Sequence, residues 1–251
     1  MRKSLIAAAV AALALAGASV VYATGVVTQH YESGVSPSKA GTVKKPKPVA
    51  LKLHLFVTTS DGSVPPAANH DLIYFATGIA LNSTKFKSCA LETLNDSSKG
   101  PSACPAGSKI GGGTAKAHIG SDPKGQDESI TVTLFNGPKG KAVEIYLNGT
   151  SPAQIQGAFQ AKLVPIRSGP FGLKLDTVIP KSLYEPITGL FTPLTDFNVS
   201  IKASTRVKGV SYGYVTTFSC PKSKKWPFKA IFNYANGSPP DTAKTTVSCS
   251  G

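Results

Sequence analysis

VALKLHLFVT, residues 49–58, sets a hydrophobic side chain at every second position: Val49, Leu51, Leu53, Leu55 and Val57 on one side, with Lys52, His54 and Thr58 among those opposite. A period of two is what a half-buried strand requires, one face in a core and one in water. The scheme returns in QIQGAFQAKL (154–163), FGLKLDTVI (171–179) and FNVSIKASTRV (197–207). ITVTLF (130–135) and AVEIYLN (142–148), joined by NGPKGK, read as a hairpin with an Asn-Gly turn. Helical signals are confined to single turns at ALETL (90–94) and SLYEPI (182–187). Parallel sheets need helical crossovers that this chain lacks, so the pattern predicts an all-β, antiparallel β-sandwich or jelly-roll-like fold. An outer-membrane barrel would also use strands of this length, but its outward face is apolar, whereas the polar face here is rich in lysine.

Outward from these strands the chain changes character. MRKSLIAAAVAALALAGASVVYATG begins with Arg2 and Lys3, runs apolar from Leu5 to Ala16, and continues in small residues, which predicts an export signal over 1–23 cleaved after Ala23. Retained, the uncharged run from Leu5 to Val21 would be a membrane anchor at the lower limit of spanning length. No membrane span is expected after cleavage. Residues 24–48 are rich in Ser, Gly, Pro and Lys without an apolar period and read as a flexible stalk, with 49–251 as a single sandwich domain. A division into two smaller sandwiches near 165–170 has no internal repeat to support it.

Charge and sulfur define the setting. Of 27 Lys and Arg, all but Arg2 and Lys3 lie beyond the signal, so 25 basic residues face 13 acidic ones, an excess of 12. Such an excess favours anionic partners, an envelope polymer or glycan, with no specific nucleic acid implied. Cys89, Cys104, Cys220 and Cys249 contain no CxxC pair, and in an exported chain they predict two disulfides rather than a metal site. Three connectivities exist; Cys89–Cys104 and Cys220–Cys249 each close a short loop and are the expected pair. In SCPKSKKWPFKAIFNY (219–234), Trp226, Phe228, Ala230, Phe232 and Tyr234 share a face, which places Trp226 in the core. If 210–220, 226–234 and 241–249 formed a simple meander, Cys220 and Cys249 would be about 9.6 Å apart, beyond disulfide reach. The last strand must therefore return beside the first or face it.

Few chemistries find their residues. CPAGSKIGGGTAKA (104–117) comes within one residue of a phosphate-binding loop, but Gly113 stands where the lysine must be, and the stretch continues as an extended segment instead of opening a helix. Neither G-x-S-x-G nor H-E-x-x-H occurs, and no cofactor or metal is expected. A glycosidase-like hydrolase would draw its carboxylate pair from Glu144, Asp176, Glu185 and Asp196. Lys52, Lys162, Lys174, Lys202, Arg206 and Lys229 fall on outward strand positions, and Lys222, Lys224 and Lys225 form a loop tip. Together they are the candidate anionic-ligand surface.

CPAGSKIGGGTAKA, FNGP at 135–138, IP at 179–180 and C-x5-W-x-F-x-A-x-F-x-Y at 220–234 resemble a family of exported proteins of high-GC Gram-positive bacteria. The resemblance implies a secreted, disulfide-bonded, β-rich protein without an assigned activity, and it carries no catalytic residues. The expectation is a secreted or envelope-associated, non-catalytic binder of an anionic polymer or carbohydrate. The alternatives are the carboxylate-pair hydrolase and a carrier of a hydrophobic ligand, which would need an apolar cavity inside the sandwich.

Overall fold

The computed structural model describes residues 25–152 and 154–251, so the signal segment 1–23 and its cleavage lie outside the described residues. In chain order the strands are β1 (Val27–Ser36), β2 (Lys47–Thr59), β3 (Ala68–Ala76), β4 (Ile79–Leu81), β5 (Lys109–His118), β6 (Asp127–Asn136), β7 (Ala142–Gly149), β8 (Ile155–Pro165), β9 (Phe171–Val178), β10 (Leu194–Ile201), β11 (Ser204–Val207), β12 (Val210–Gly213), β13 (Val215–Thr217), β14 (Lys225–Tyr234) and β15 (Asp241–Ser248). The helices are α1 (Leu91–Asn95) and α2 (Lys181–Tyr184), at the two places where the sequence shows a helical turn. The fold is all-β and its strand pairs are antiparallel, as the alternation requires.

One sheet runs β15-β14-β3-β9-β8-β7-β6-β5-β10-β2, with β1 on the far side of β2, β13 and β4 continuing from the start of β2, and β11–β12 a separate hairpin. It curls until its ends meet. β1 lies beside β15, the Gln29 amide donates to the Tyr234 hydroxyl at 3.0 Å, and the Tyr31 ring stands edge-on to Phe228 at 6.2 Å. The Ala40 N–H donates to the Ser250 carbonyl at 2.8 Å, tying the two edges covalently remote but adjacent in space. The two halves of the sheet thus face each other over a single core, in sandwich-like fashion. Leu51, Leu53, Val199 and Val132 from one half meet Phe75, Phe159, Phe228 and Trp226 from the other. Trp226 is fully buried, as its strand parity predicts, and burying each such large side chain contributes about 1.5–3 kcal/mol.

Three expectations need correction. Residues 27–36 are no stalk: β1 pairs with β2 along its whole length, from Val27 opposite Thr59 to Ser36 opposite Ala50, and buries Tyr31 and Val35. The reason is that β2 would otherwise present a long open edge, and pairing satisfies its backbone groups. FNVSIKASTRV does not run as one strand; β10 ends at Ile201, and the chain turns where the Lys202 and Ala203 N–H groups share the Ile110 carbonyl. The β6–β7 hairpin forms, but its left-handed residues are Lys139 and Gly140 rather than an Asn-Gly pair.

Both disulfides pair as expected, Cys89–Cys104 and Cys220–Cys249. The second is reached without a meander. β13 sits between β2 and β4, and the irregular segment after it brings Cys220 to 5.8 Å from Cys249 between Cα atoms, where the Cys249 N–H bonds the Lys224 carbonyl. The first disulfide closes a flap over the outer face of β6, β7 and β8, covering Phe135, Tyr146 and Ala158 with Cys89 and Leu94. Asn136 of FNGP anchors that flap: its amide donates to the carbonyls of Ser83, Phe86 and Lys87, and its oxygen accepts from the Tyr214 hydroxyl.

Candidate functional site

Strand direction sorts the loops into two ends, and charge separates with them. At one end lie segments 37–46, 77–88, 137–141, 166–170, 202–209 and 218–224, which carry thirteen Lys and Arg and no Asp or Glu; the disulfide flap 89–108, which leaves from and returns to this end, adds Glu92 and Asp96 against Lys99. The opposite end holds the loops 60–67, 119–126, 150–154, 179–193 and 235–240, with Asp61, Asp122 and Glu185 against Lys124 and Lys181. Asp71, Asp127, Asp196 and Asp241 add to it from the adjoining strand ends, against Lys116, which lies opposite Asp196 in register. A chain with a large basic excess therefore has one cationic and one acidic pole.

The expected lysines divide accordingly. Lys202, Arg206, Lys222 and Lys224 are exposed at the cationic pole, with Lys225 at the start of β14 and Lys52 and Lys162 on the adjoining outer faces. Lys52 and Lys162 lie on different sides of the molecule, because β10, β5, β6 and β7 separate β2 from β8. Lys174 and Lys229 sit nearer mid-strand on a third stretch of surface. Register sets Lys244, Lys229, Tyr74 and Lys174 in one row across β15, β14, β3 and β9. There the Lys229 ammonium stands 4.0 Å from the Tyr74 ring centre, and Lys174 pairs with Asp176 at 2.9 Å.

An open groove crosses the cationic pole, enclosing about 1200 Å³ with its solvent-facing side included. Its floor is apolar, from Ile79, Leu81, Leu163 and Leu173, and Lys141 lines its wall. The Ser83 hydroxyl donates to the Gly140 carbonyl at 2.7 Å, which joins the turn bearing Lys85 to the turn bearing Lys139 and Lys141. Sequence reading missed these three lysines because they lie in turns, outside the strand alternation. Their signal is the shared end of the molecule, which needs the strand directions.

A second cavity opens at the acidic pole, between the halves of the sheet, with about 680 Å³ of empty space including its mouth. Leu55, Val57 and Phe197 line it from one half, and Ile73, Phe159 and Phe232 from the other. Pro66, in the loop between β2 and β3, lies across its rim and lines two neighbouring depressions as well. Asp71 points into this apolar space at the same parity as Ile73 and Phe75. Its Oδ1 is buried and meets no hydrogen-bond partner among the described residues, and burial pushes its pKa up to about 7.

Of the four carboxylates considered for hydrolysis, only Asp196 borders this cavity, and its Oδ2 is engaged by His54 Nε2 at 2.8 Å. That bond is the main cause of the raised His54 pKa; Glu32, 3.2 Å from Nδ1, adds to it. Glu144 is fully buried under the disulfide flap. Burial raises its pKa while Gln160 donates to Oε1 at 2.8 Å. Asp176 is on the outer face, its pKa lowered first by Lys174 and then by His70. Glu185 accepts from the Gly189 N–H beside α2, which lowers its pKa. The four are scattered over different faces.

CPAGSKIGGGTAKA supplies a turn and then β5, in the middle of the sheet. Gly111 and Gly113 lie so close to the carbonyls of Ser200 and Asn198 in β10 that a Cβ would collide with them. The glycines serve strand packing. Among the described residues no group of three or more His, Cys, Asp or Glu could hold a metal ion, and no helix is long and apolar enough to cross a membrane. No family model, curated protein or solved structure matches the chain.

Proposed function

We propose that the protein is an exported, non-catalytic envelope protein that binds an anionic polymer across its cationic pole. The observation that carries this reading is the charge sorting itself: thirteen basic residues and no carboxylate in the turns at one end, with Glu92 and Asp96 confined to the flap beside them. Clustered lysines make a field that recruits polyanions, and the groove gives it a shape, with an apolar floor for a backbone of carbons, Lys141 on its wall, and Lys85 and Lys139 on the two turns that the Ser83–Gly140 bond joins beside it. Lys202, Arg206, Lys222 and Lys224 extend the same pole beyond the groove. The two disulfides are compatible with an extracellular setting and give the exposed flap a fixed shape there.

Binding of residues 24–251 to a glycerol-phosphate polymer and to an uncharged glucan of similar length tests it. The polymer is expected to bind at least tenfold more tightly at physiological salt. The Lys85→Glu, Lys139→Glu, Lys141→Glu triple variant should lose most of that advantage, and charge reversal of Lys174 and Lys229, away from the pole, should leave most of it. Equal binding of the two polymers, or equal losses in the two variants, would overturn the reading.

A further inference from the structure

The geometry points to a second, independent binding site at the acidic pole: the cavity between the sheet halves takes a small amphiphile with an apolar body and one ammonium group, anchored on the Asp71 carboxylate. The wall is hydrocarbon on both sides, with Leu55 and Phe197 facing Phe159 and Phe232, so the body of the ligand must be apolar. One carboxyl oxygen is aimed into that wall and reaches no donor among the described residues. A buried polar atom without a partner is costly to the free protein, and a ligand donor that reaches it recovers that cost on binding.

The donor is a cation because no basic side chain among the described residues borders the cavity, and the second carboxylate on its rim, Asp196, adds to a negative field. Asp241, Asp127 and Asp61 lie at the same end, so an ammonium is drawn towards the mouth while the carboxylate of a fatty acid is repelled. The groups of neighbouring elements that bear on Asp71 are few. On β14 the Tyr234 hydroxyl is held between the Gln29 amide at 3.0 Å and Asp241 at 2.7 Å, on β9 Thr177 lies opposite in register, and on β10 Asp196 is turned to His54. His70, Lys174 and Asp176 belong to the outer face. None of these supplies Asp71 with a counter-ion. Pro66 lines the cavity between Pro65 and the buried Ala67, and its ring fixes the local backbone φ there.

2-Phenylethylamine, 2-phenylethanol and 3-phenylpropanoate share a body and differ in their head, and titration of the mature protein with each decides the matter. At pH 8 the amine is expected to bind at least tenfold more tightly than the alcohol and to shift the backbone amide resonances of Ile73, Thr177 and Phe232, while the carboxylate does not bind. At pH 6, where Asp71 is largely protonated, amine binding should expel a proton, read as a dependence of the binding heat on the ionisation enthalpy of the buffer. Asp71→Asn removes the preference for amine over alcohol and the proton release while leaving the weak binding of the alcohol, so a folded cavity is demonstrated in the same experiment. Equal affinity of amine and alcohol in the parent protein, retention of the preference in Asp71→Asn, or no binding of any of the three at millimolar concentration would overturn the proposal. The Lys85, Lys139, Lys141 variant is expected to bind the amine as the parent does, so failure of the polymer reading and failure of this one are separate results.

Discussion

Asp71 ties the energetics of the empty molecule to its pH. An ordinary aspartate releases its proton near pH 3.8, but in this apolar wall the carboxyl holds it to about pH 7. Between those values the folded chain carries a proton that the unfolded chain has lost, so stability falls as pH rises through the window, at about 1.4 kcal/mol per unit at most. Asp71→Asn takes that slope away: the variant should melt above the parent at pH 8, by an amount on the order of 2–4 kcal/mol in stability, and close to it near pH 3.5. Thermal melts at the two pH values check this, and a gap that stays constant would contradict it. Glu144 contributes in the same direction, since its burial also raises its pKa. Gly113 makes a steric prediction. A methyl group there meets the Asn198 carbonyl of β10, so Gly113→Ala should cost about 2–3 kcal/mol through forced separation of β5 and β10, whereas the same change at exposed Gly62 meets open space and only its left-handed backbone resists.

At the scale of elements, β1 and the disulfides carry the sharpest tests. A stalk would be cut by protease throughout 24–48, but β1 is hydrogen-bonded along its length and buries Tyr31, so limited digestion should spare 27–36 until global unfolding. Serine at Cys220 and Cys249 opens a loop with a sequence separation of 29 and should cost about 3–4 kcal/mol, read from the denaturant midpoint. Why β1 escaped notice while β2 announced itself is plain from their inward positions. β2 places Leu51, Leu53, Leu55 and Val57 there, while β1 places Gln29, Tyr31, Ser33 and Val35, so half of its buried face is polar and the alternation is blurred. β8 and β9 were legible for the same reason as β2, and the core position of Trp226 followed from parity alone. The disulfide pairing was legible from loop length, but the path to Cys220 was not, because 210–220 breaks at Gly213 and again after Thr217. Asp71 offered a signal that went unread: in HDLIYFA it shares parity with Ile73 and Phe75, which marks a carboxyl headed inward.

The whole molecule is organised by something no local window contains. Lysines spaced far apart in sequence gather at one pole because successive turns of an antiparallel sheet alternate between its ends, and this sorting appears only when strand direction is known. Its expected consequence in solution is a steeper salt dependence for the proposed polymer, which meets many charges, than for the cavity ligand, which meets one. Raising salt to 0.5 M shortens the screening length to roughly 4 Å, so polymer affinity should drop at least tenfold while the cavity resonances of Ile73 and Thr177 stay in place. The curled sheet gives these poles a fixed relation, since its meeting edges, clasped at Tyr31 and Ala40, hold both ends to one rigid axis. If the proposed lysine cap seats the molecule on a polyanionic wall, the molecule is thereby oriented: its hollow, with the Asp71 carboxyl inside, looks away from the surface and towards whatever diffuses past.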